Sequence, residues 1–364
     1  MSDLFPMPTG REEIWRFTPM DRMAPLLDED ADWVPMPVAV AEQPGVEVET
    51  RTLSQLPFRR GFVPGDRPSA IAERLVEDET FISLFGDAAR PVVVDLDPKI
   101  APLTASGTRT LSHLTIEAGL GSRAIVVLQH TGSTAFIGNV EITVGEGADL
   151  TLVSLQEWAD DALHAGFHQV VVGRDAHFRH IAVTFGGSLV RLQTNVRYKG
   201  PGGVAELFGL HLTDGHQHHE HRLSVDQNEP KTTSRVDYRG ALQGKGAHSV
   251  WVGDVLIRRQ AEGIDSYEQN RNLLLTPGCI ANSMPNLEIE TGNIVNAGHS
   301  SATGRFDDEQ LFYLESRGIP ENEARRLIVQ GFFFDIIRRV GVPEIEQRLR
   351  AAVNAELSYS SEEN

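Results

Sequence analysis

Four imidazoles and a carboxylate crowd into His216-Gln217-His218-His219-Glu220-His221, with His211 just upstream, and the first chemistry they suggest is metal ligation. Neutral imidazole is a common metal ligand. If this stretch is a strand, side chains alternate between faces, so His216 and His218 share one face and His219 and His221 the other. The competing reading is a histidine-bearing strand at the edge of the core that holds no metal. A second candidate is His299, alone among small residues in Ala297-Gly298-His299-Ser300-Ser301-Ala302-Thr303-Gly304. Small neighbours leave its ring reachable, although spacing alone marks it only as a structural group at a strand-to-helix corner. Cys279 is the single cysteine. It follows the apolar run Leu273-Leu274-Leu275 and reads as a small hydrophobe. One thiol excludes an internal disulfide and a four-cysteine metal centre within one chain. No G-x-x-x-x-G-K-[ST] phosphate loop occurs, so ATP hydrolysis by this chain is not expected. Neither a G-x-S-x-G elbow nor an H-E-x-x-H helix is present.

The elements that must carry these residues change character along the chain. Residues 1–90 show no sustained alternation and read as a helical region, with short helices over Arg11–Met20 and Ala70–Phe85 and with Trp15 and Phe17 as packing anchors. Residues 91–304 read as a β core. Within it Gly119, Gly145, Gly173 and Gly200 each follow an apolar strand and lie 26, 28 and 27 residues apart. A glycine turn recurring at such a period is the mark of a solenoid, in which each turn buries its apolar face against the next. Two or three short strands per turn fit that length. From residue 305 the spacing becomes helical. Asp307 and Asp308 suit a helix start, Gly318 a stop, and Pro320 a new first turn. Ala324, Leu327, Ile328, Gly331 and Phe332 fall on one stripe, and Phe332-Phe333-Phe334 make that helix apolar all round, so it needs a cover. Ile345, Leu349, Ala352 and Val353 give the last helix an inward face.

Lys and Arg number 33 against 51 Asp and Glu, a net charge of −18. That sign opposes binding to nucleic acid or to an anionic membrane. No apolar run reaches the ~18–20 residues of a membrane span, and the first residues lack the basic and apolar blocks of a secretory signal. Together with one cysteine, this gives a cytoplasmic location as the expectation.

The stretch from Ala297 to Phe332, AGHSSATGRFDDEQLFYLESRGIPENEARRLIVQGF, resembles the C-terminal segment shared by the SufB and SufD proteins. The resemblance extends to Glu12-Glu13-Ile14-Trp15-Arg16-Phe17-Thr18, Tyr238-Arg239-Gly240 and Pro285-Asn286-Leu287-Glu288-Ile289. It implies a mainly β fold, a right-handed parallel β-helix flanked by N- and C-terminal α-helical segments. It also implies a non-catalytic scaffold for iron–sulfur cluster assembly. With no thiol at Ala297-Gly298-His299, the chain is most similar to the SufD side of that family. The resemblance then implies that His299 faces a nascent cluster shared with a SufB-like partner, with no cofactor held by this chain alone. It implies a SufC-like ATPase docked on the C-terminal helices, for which Phe312, Leu327, Phe332, Phe333 and Phe334 are the candidate contacts. Two alternatives stay open: a metal-dependent enzyme of cupin-like type using His216, His218 and His221, and a homodimeric, non-ligating relative.

Overall fold

The computed structural model describes residues 5–41, 43–55, 61–99, 108–306 and 308–359. It begins with a 3-10 turn at Glu13–Trp15, helix α1 (Met20–Met23), a second 3-10 turn and three short strands, β1 (Trp33–Pro35), β2 (Val38–Val40) and β3 (Val46–Thr52). Helix α2 (Arg67–Leu75), β4 (Asp78–Leu84) and β5 (Val92–Leu96) follow. Next come β6 (Arg109–Ala118), β7 (Arg123–Gly132), β8 (Ala135–Val144), β9 (Asp149–Trp158), β10 (Leu163–Val172), β11 (His177–Thr184) and β12 (Leu189–Tyr198). The strands end with β13 (Val204–Asp214), β14 (His218–Gln227), β15 (Thr233–Gln243), β16 (His248–Ile257), β17 (Ile264–Leu274), β18 (Ile280–Ile289) and β19 (Ile294–Arg305). Helices α3 (Asp308–Ser316), α4 (Glu321–Arg338) and α5 (Pro343–Tyr359) close the described chain. No helix among the described residues is long and apolar enough to cross a membrane.

Even-numbered strands from β4 to β18 stack in parallel in one sheet, and odd-numbered strands from β5 to β19 stack in the other. The result is a β-solenoid of about seven turns, with two strands per turn. The glycine period has a direct cause in the corner between the two sheets. A Cβ on Gly145 would sit 2.7 Å from the Ala118 carbonyl oxygen, and one on Gly173 the same distance from that of Val144. Those carbonyls accept hydrogen bonds from the two glycine amides at 2.8 Å, so successive turns are tied backbone to backbone. Gly145→Ala is therefore expected to lower stability by about 1–3 kcal/mol through overpacking, read as a fall in the thermal midpoint. A midpoint equal to wild type would show that the corner can open without cost.

Side chains pointing inward form a long core that includes Ile116, Val126, Ile142, Leu152, Val170, Val196, Leu207, Val225 and Val255. The outer face of the even-numbered sheet is covered by the N-terminal segment. Trp15, Met23, Leu26, Leu27, Ile71 and Ala72 pack there on Leu111, Ile137, Ala165 and Leu189. A buried ionic network pins that segment in place. Arg191 bonds Asp66 and Glu220, and Glu220 also receives bonds from Arg222 and, at 2.8 Å, from the Thr18 hydroxyl. The Arg191 guanidinium lies 4.3 Å over the Trp15 ring. Burial pushes the Glu220 carboxyl up, but the His218 hydrogen bond and the charges of Arg191 and Arg222 prevail and hold it below its ordinary range. Asp66 caps α2 through the Ser69 amide at 3.0 Å.

Three expectations change here. The helix read over Arg11–Met20 is only the 3-10 turn Glu13–Trp15, with α1 starting at Met20, and the leading region holds short strands as well as helix. The helix read over Ala70–Phe85 ends at Leu75, and the chain turns into strand β4, where Phe81, Ile82 and Leu84 are buried beside β6. The inward stripe of α4 is Ala324, Val329, Phe333, Ile336 and Ile337, while Leu327 and Gly331 face outward. The sheet under α4 decides this. Phe208, Leu210 and Leu212 on β13 and Val153 and Leu155 on β9 offer the apolar surface that these side chains fill. Arg239 fixes the helix by donating to the Phe332 carbonyl at 2.7 Å. Ile345, Leu349 and Val353 of α5 are buried as expected.

Candidate functional site

The segment around His299 is strand, not a loop at a corner. Residues Ile294–Arg305 form β19, which pairs in parallel with β17 for almost its whole length. Its small side chains hide the alternation because no further turn packs on them. β18 and β19 are the terminal strands of their sheets, and together they form the last rung. Register places His299 directly on Glu268, which lies on Val236, then Leu207, His180, Leu152 and Val126, one inward-facing column.

At the top of that column the His299 side chain is 42% exposed, and its Nδ1 lies 3.8 Å from Glu268 Oε1. Glu268 is buried, and neither of its carboxylate oxygens has a hydrogen-bond partner. Burial, with help from the Asp254 charge, pushes its carboxyl up to about 8. On the same rim Ser301 donates to Ser283 across the two sheets at 2.8 Å, and the Tyr267 hydroxyl meets Ser300 at 3.2 Å. The rim thus presents one accessible imidazole over one buried acid, with hydroxyls around it. Among the described residues, no group of three or more His, Cys, Asp or Glu side chains is placed to hold a metal ion.

The histidine-rich stretch separates rather than converges. His216 lies in the corner before β14. His218 faces outward beneath the N-terminal segment and bonds Glu220 at 3.2 Å and His248 at 3.2 Å. His219 and His221 point into the solenoid, and His221 meets the Thr184 hydroxyl at 3.0 Å. The trio His216, His218 and His221 is therefore split between a corner and two faces of one strand, and the cupin-like arrangement is not formed. Sequence spacing could not reveal the partners of the inward pair. His130, His164, His168, His180 and His211 join them in the interior, brought together by stacking across turns. Laying the repeats over one another is the signal that would have found them.

Cys279 sits half-buried in the corner before β18, its Sγ 3.3 Å from the Gly244 carbonyl and 3.5 Å from the Thr276 hydroxyl. Of the aromatic and apolar candidates on the C-terminal helices, Phe333 is fully buried against the odd-numbered sheet and belongs to the core. Phe332 is partly buried, while Phe312, Leu327 and Phe334 are exposed by 72%, 40% and 38%. Asp307, read as a helix cap, lies outside the described residues.

Comparison with known proteins bears on this geometry. Residues 102–332 match the model of the SUF system FeS cluster assembly, SufBD core domain. The iron–sulfur cluster assembly SufBD family protein of Mycobacterium bovis is 46% identical over 98% of this chain and 91% of its own length. The Escherichia coli iron–sulfur cluster assembly protein SufD is 22% identical over 96% of this chain and 89% of its own. The Bacillus subtilis iron–sulfur cluster assembly protein SufB is 28% identical over 53% of this chain and 41% of its own.

Proposed function

The chain belongs to the SufBD family of iron–sulfur cluster assembly proteins, and from that premise we propose that it acts as a SufD-like scaffold subunit. In this reading it pairs with a cysteine-bearing SufB-like chain, carries a SufC-like ATPase on its C-terminal helices, and performs no catalysis of its own. The cluster is cargo, held between two subunits and passed on.

The observation that carries the reading is the half-built rim. His299 is exposed at an unpaired last rung, above a buried acid, in a chain whose only thiol lies in a corner. One imidazole can ligate iron beside thiolates, but it cannot hold a cluster alone. The missing ligands must come from a second chain, and the terminal edges of β18 and β19 offer ladder hydrogen bonds to one. Ile280, Ile289 and Val295 are exposed along those strands, which suits a surface made to be covered. Exposed Phe312, Leu327 and Phe334 support the docking of a partner on the outer side of α3 and α4.

The test is co-expression with a SufB-like chain and a SufC-like ATPase, followed by reconstitution with iron and sulfide. His299→Ala is expected to leave co-purification intact. It should slow cluster formation by at least the ~10–100-fold that loss of a mere outer-shell partner costs. Unchanged cluster formation would remove His299 as a ligand. Failure to co-purify with either partner would sink the scaffold reading, and a stable pair of this chain with itself would favour the homodimeric alternative.

A further inference from the structure

The interior of the solenoid is not uniformly apolar. From the middle turns to the last rung it carries buried polar atoms with no partner in the protein. They are Nδ1 of His168, both ring nitrogens of His180 and of His211, Nδ1 of His221, the Tyr238 hydroxyl, Nε1 of Trp251 and both oxygens of Glu268. Buried polar groups of folded proteins are almost all hydrogen-bonded, and each one left bare costs about 1–3 kcal/mol. Ten such atoms would together consume the ~5–15 kcal/mol by which a whole protein is stable. Something therefore bonds them.

Ring contacts join these groups into two runs, and the His221 ring is near enough to act electrostatically on His180. His168 and His180 lie 5.2 Å apart between ring centres, and His211 and His221 lie 5.1 Å apart. His221 is 5.6 Å from Tyr238, and Tyr238 is 6.4 Å from Trp251. Glycines make the room. The Tyr238 ring lies over Gly209, His211 Nε2 and Asn272 Oδ1 converge over Gly240, and Glu268 and the Trp251 ring share the space above Gly253. No direct bond joins these polar atoms to one another, so each is left for a molecule small enough to share the interior with them. A metal ion does not fit, because among the described residues no three ligating side chains converge. An apolar guest would leave the nitrogens bare.

We propose that the lumen holds a file of ordered water from His168 to the rim at Glu268, and that this file relays protons between the interior and the last rung. Water supplies both donors and acceptors and needs two to four polar partners, which each run provides. In the relay, a ring accepts a proton from water at one nitrogen and releases one to the next water from the other. Net charge is unchanged and the tautomer is exchanged. The water file stands independently of the proposed function, whereas the use of the relay at the rim rests on the reading of His299.

The test uses the isolated full chain and needs neither cluster nor partner, so its failure is separate from failure of the scaffold reading. Oxygen-17 relaxation dispersion in H2(17)O reads long-lived internal water. Wild type is expected to show such waters, and His180→Leu or His211→Leu to lose part of them. His180→Gln and His211→Asn, which keep polar atoms, are expected to retain them. This second pair decides the matter if the leucine variants fail to fold. Wild type without long-lived water, or Gln and Asn variants no wetter than the Leu variants, would overturn the file. For the relay, deuterium exchange at the His168 ring is expected to be fast in wild type. In His221→Leu it should fall to the rate set by global unfolding. Equal exchange in both would overturn the relay.

Discussion

Acidifying the protein from neutral pH to about pH 5 is expected to unfold it cooperatively, well above the range in which carboxylates titrate. Seven buried histidines cause this. Burial pulls His130 and His221 down to about 4, and His180 and His219 to about 3. It also takes His164, His168 and His211 well below their ordinary value of 6.5, with neighbouring imidazoles adding to the effect. In the unfolded chain each ring takes up a proton near pH 6.5, whereas in the folded chain it stays neutral until far lower. Between those limits the unfolded state binds more protons. The stability these rings represent is complete above pH 6.5 and is lost as pH falls toward their folded values. One ring contributes about 1.4 kcal/mol per pH unit, so seven contribute on the order of 10 kcal/mol per unit, enough to exhaust the usual ~5–15 kcal/mol. Raised groups work the other way. Glu268, pushed up to about 8, keeps its proton in the folded state where the unfolded chain has lost it, and offsets about one ring. His177, raised by its bond to Glu206, adds stability only as pH falls toward 6.5 and contributes no further change below it. Circular dichroism along an acid titration, with calorimetric proton uptake, measures the effect. A midpoint below about pH 4, with uptake of only one or two protons, would contradict it.

Glu220→Ala is the substitution with the largest expected cost, about 3–5 kcal/mol, because it strands the buried Arg222 without its carboxylate and leaves Arg191 with Asp66 alone. Arg191 keeps Asp66, but the Thr18 hydroxyl, His218 and Arg222 all lose a bond to Glu220. The damage should concentrate where the N-terminal segment meets the even-numbered sheet. Urea denaturation is expected to show a lower midpoint, and limited proteolysis a cut near Trp15 before the solenoid strands are touched. A loss below ~1 kcal/mol, the value of an exposed pair, would mean that the network is hydrated. Replacing Glu220 and Arg222 together by apolar residues is expected to cost less than Glu220→Ala alone, since Arg191 keeps Asp66 and no charge is then left unpaired.

The solenoid was legible because its corners recur. Gly119, Gly145, Gly173 and Gly200 mark real corners, and the turn length follows from the close approach of stacked backbones there. The inward face of α5 was legible as well. What failed to show was anything set by contact between turns. His299 looked like a corner residue because a terminal strand of small side chains has no covering turn to impose a two-residue pattern. His216 and His218 looked like partners because neighbours in sequence invite pairing, yet the strand begins only at His218. The interior histidines belong to different turns, and no local spacing connects His180 with His211. The stripe of α4 was misplaced for the same reason, since the sheet below selects Val329 and Phe333 and leaves Leu327 outside.

The two ends of the stack are built differently, and that limits what can be assembled from it. At the beginning, β2 and β3 run against β5 and β4. One is three residues long, and the other carries Glu47, Glu49 and Arg51, features that discourage further pairing. At the far end, long parallel strands simply stop. A stack with a single open sheet edge can extend its ladder through that edge alone, so edge-to-edge growth stops after one addition and a fibre cannot form by this route. Were both ends alike, the same ladder would propagate without limit.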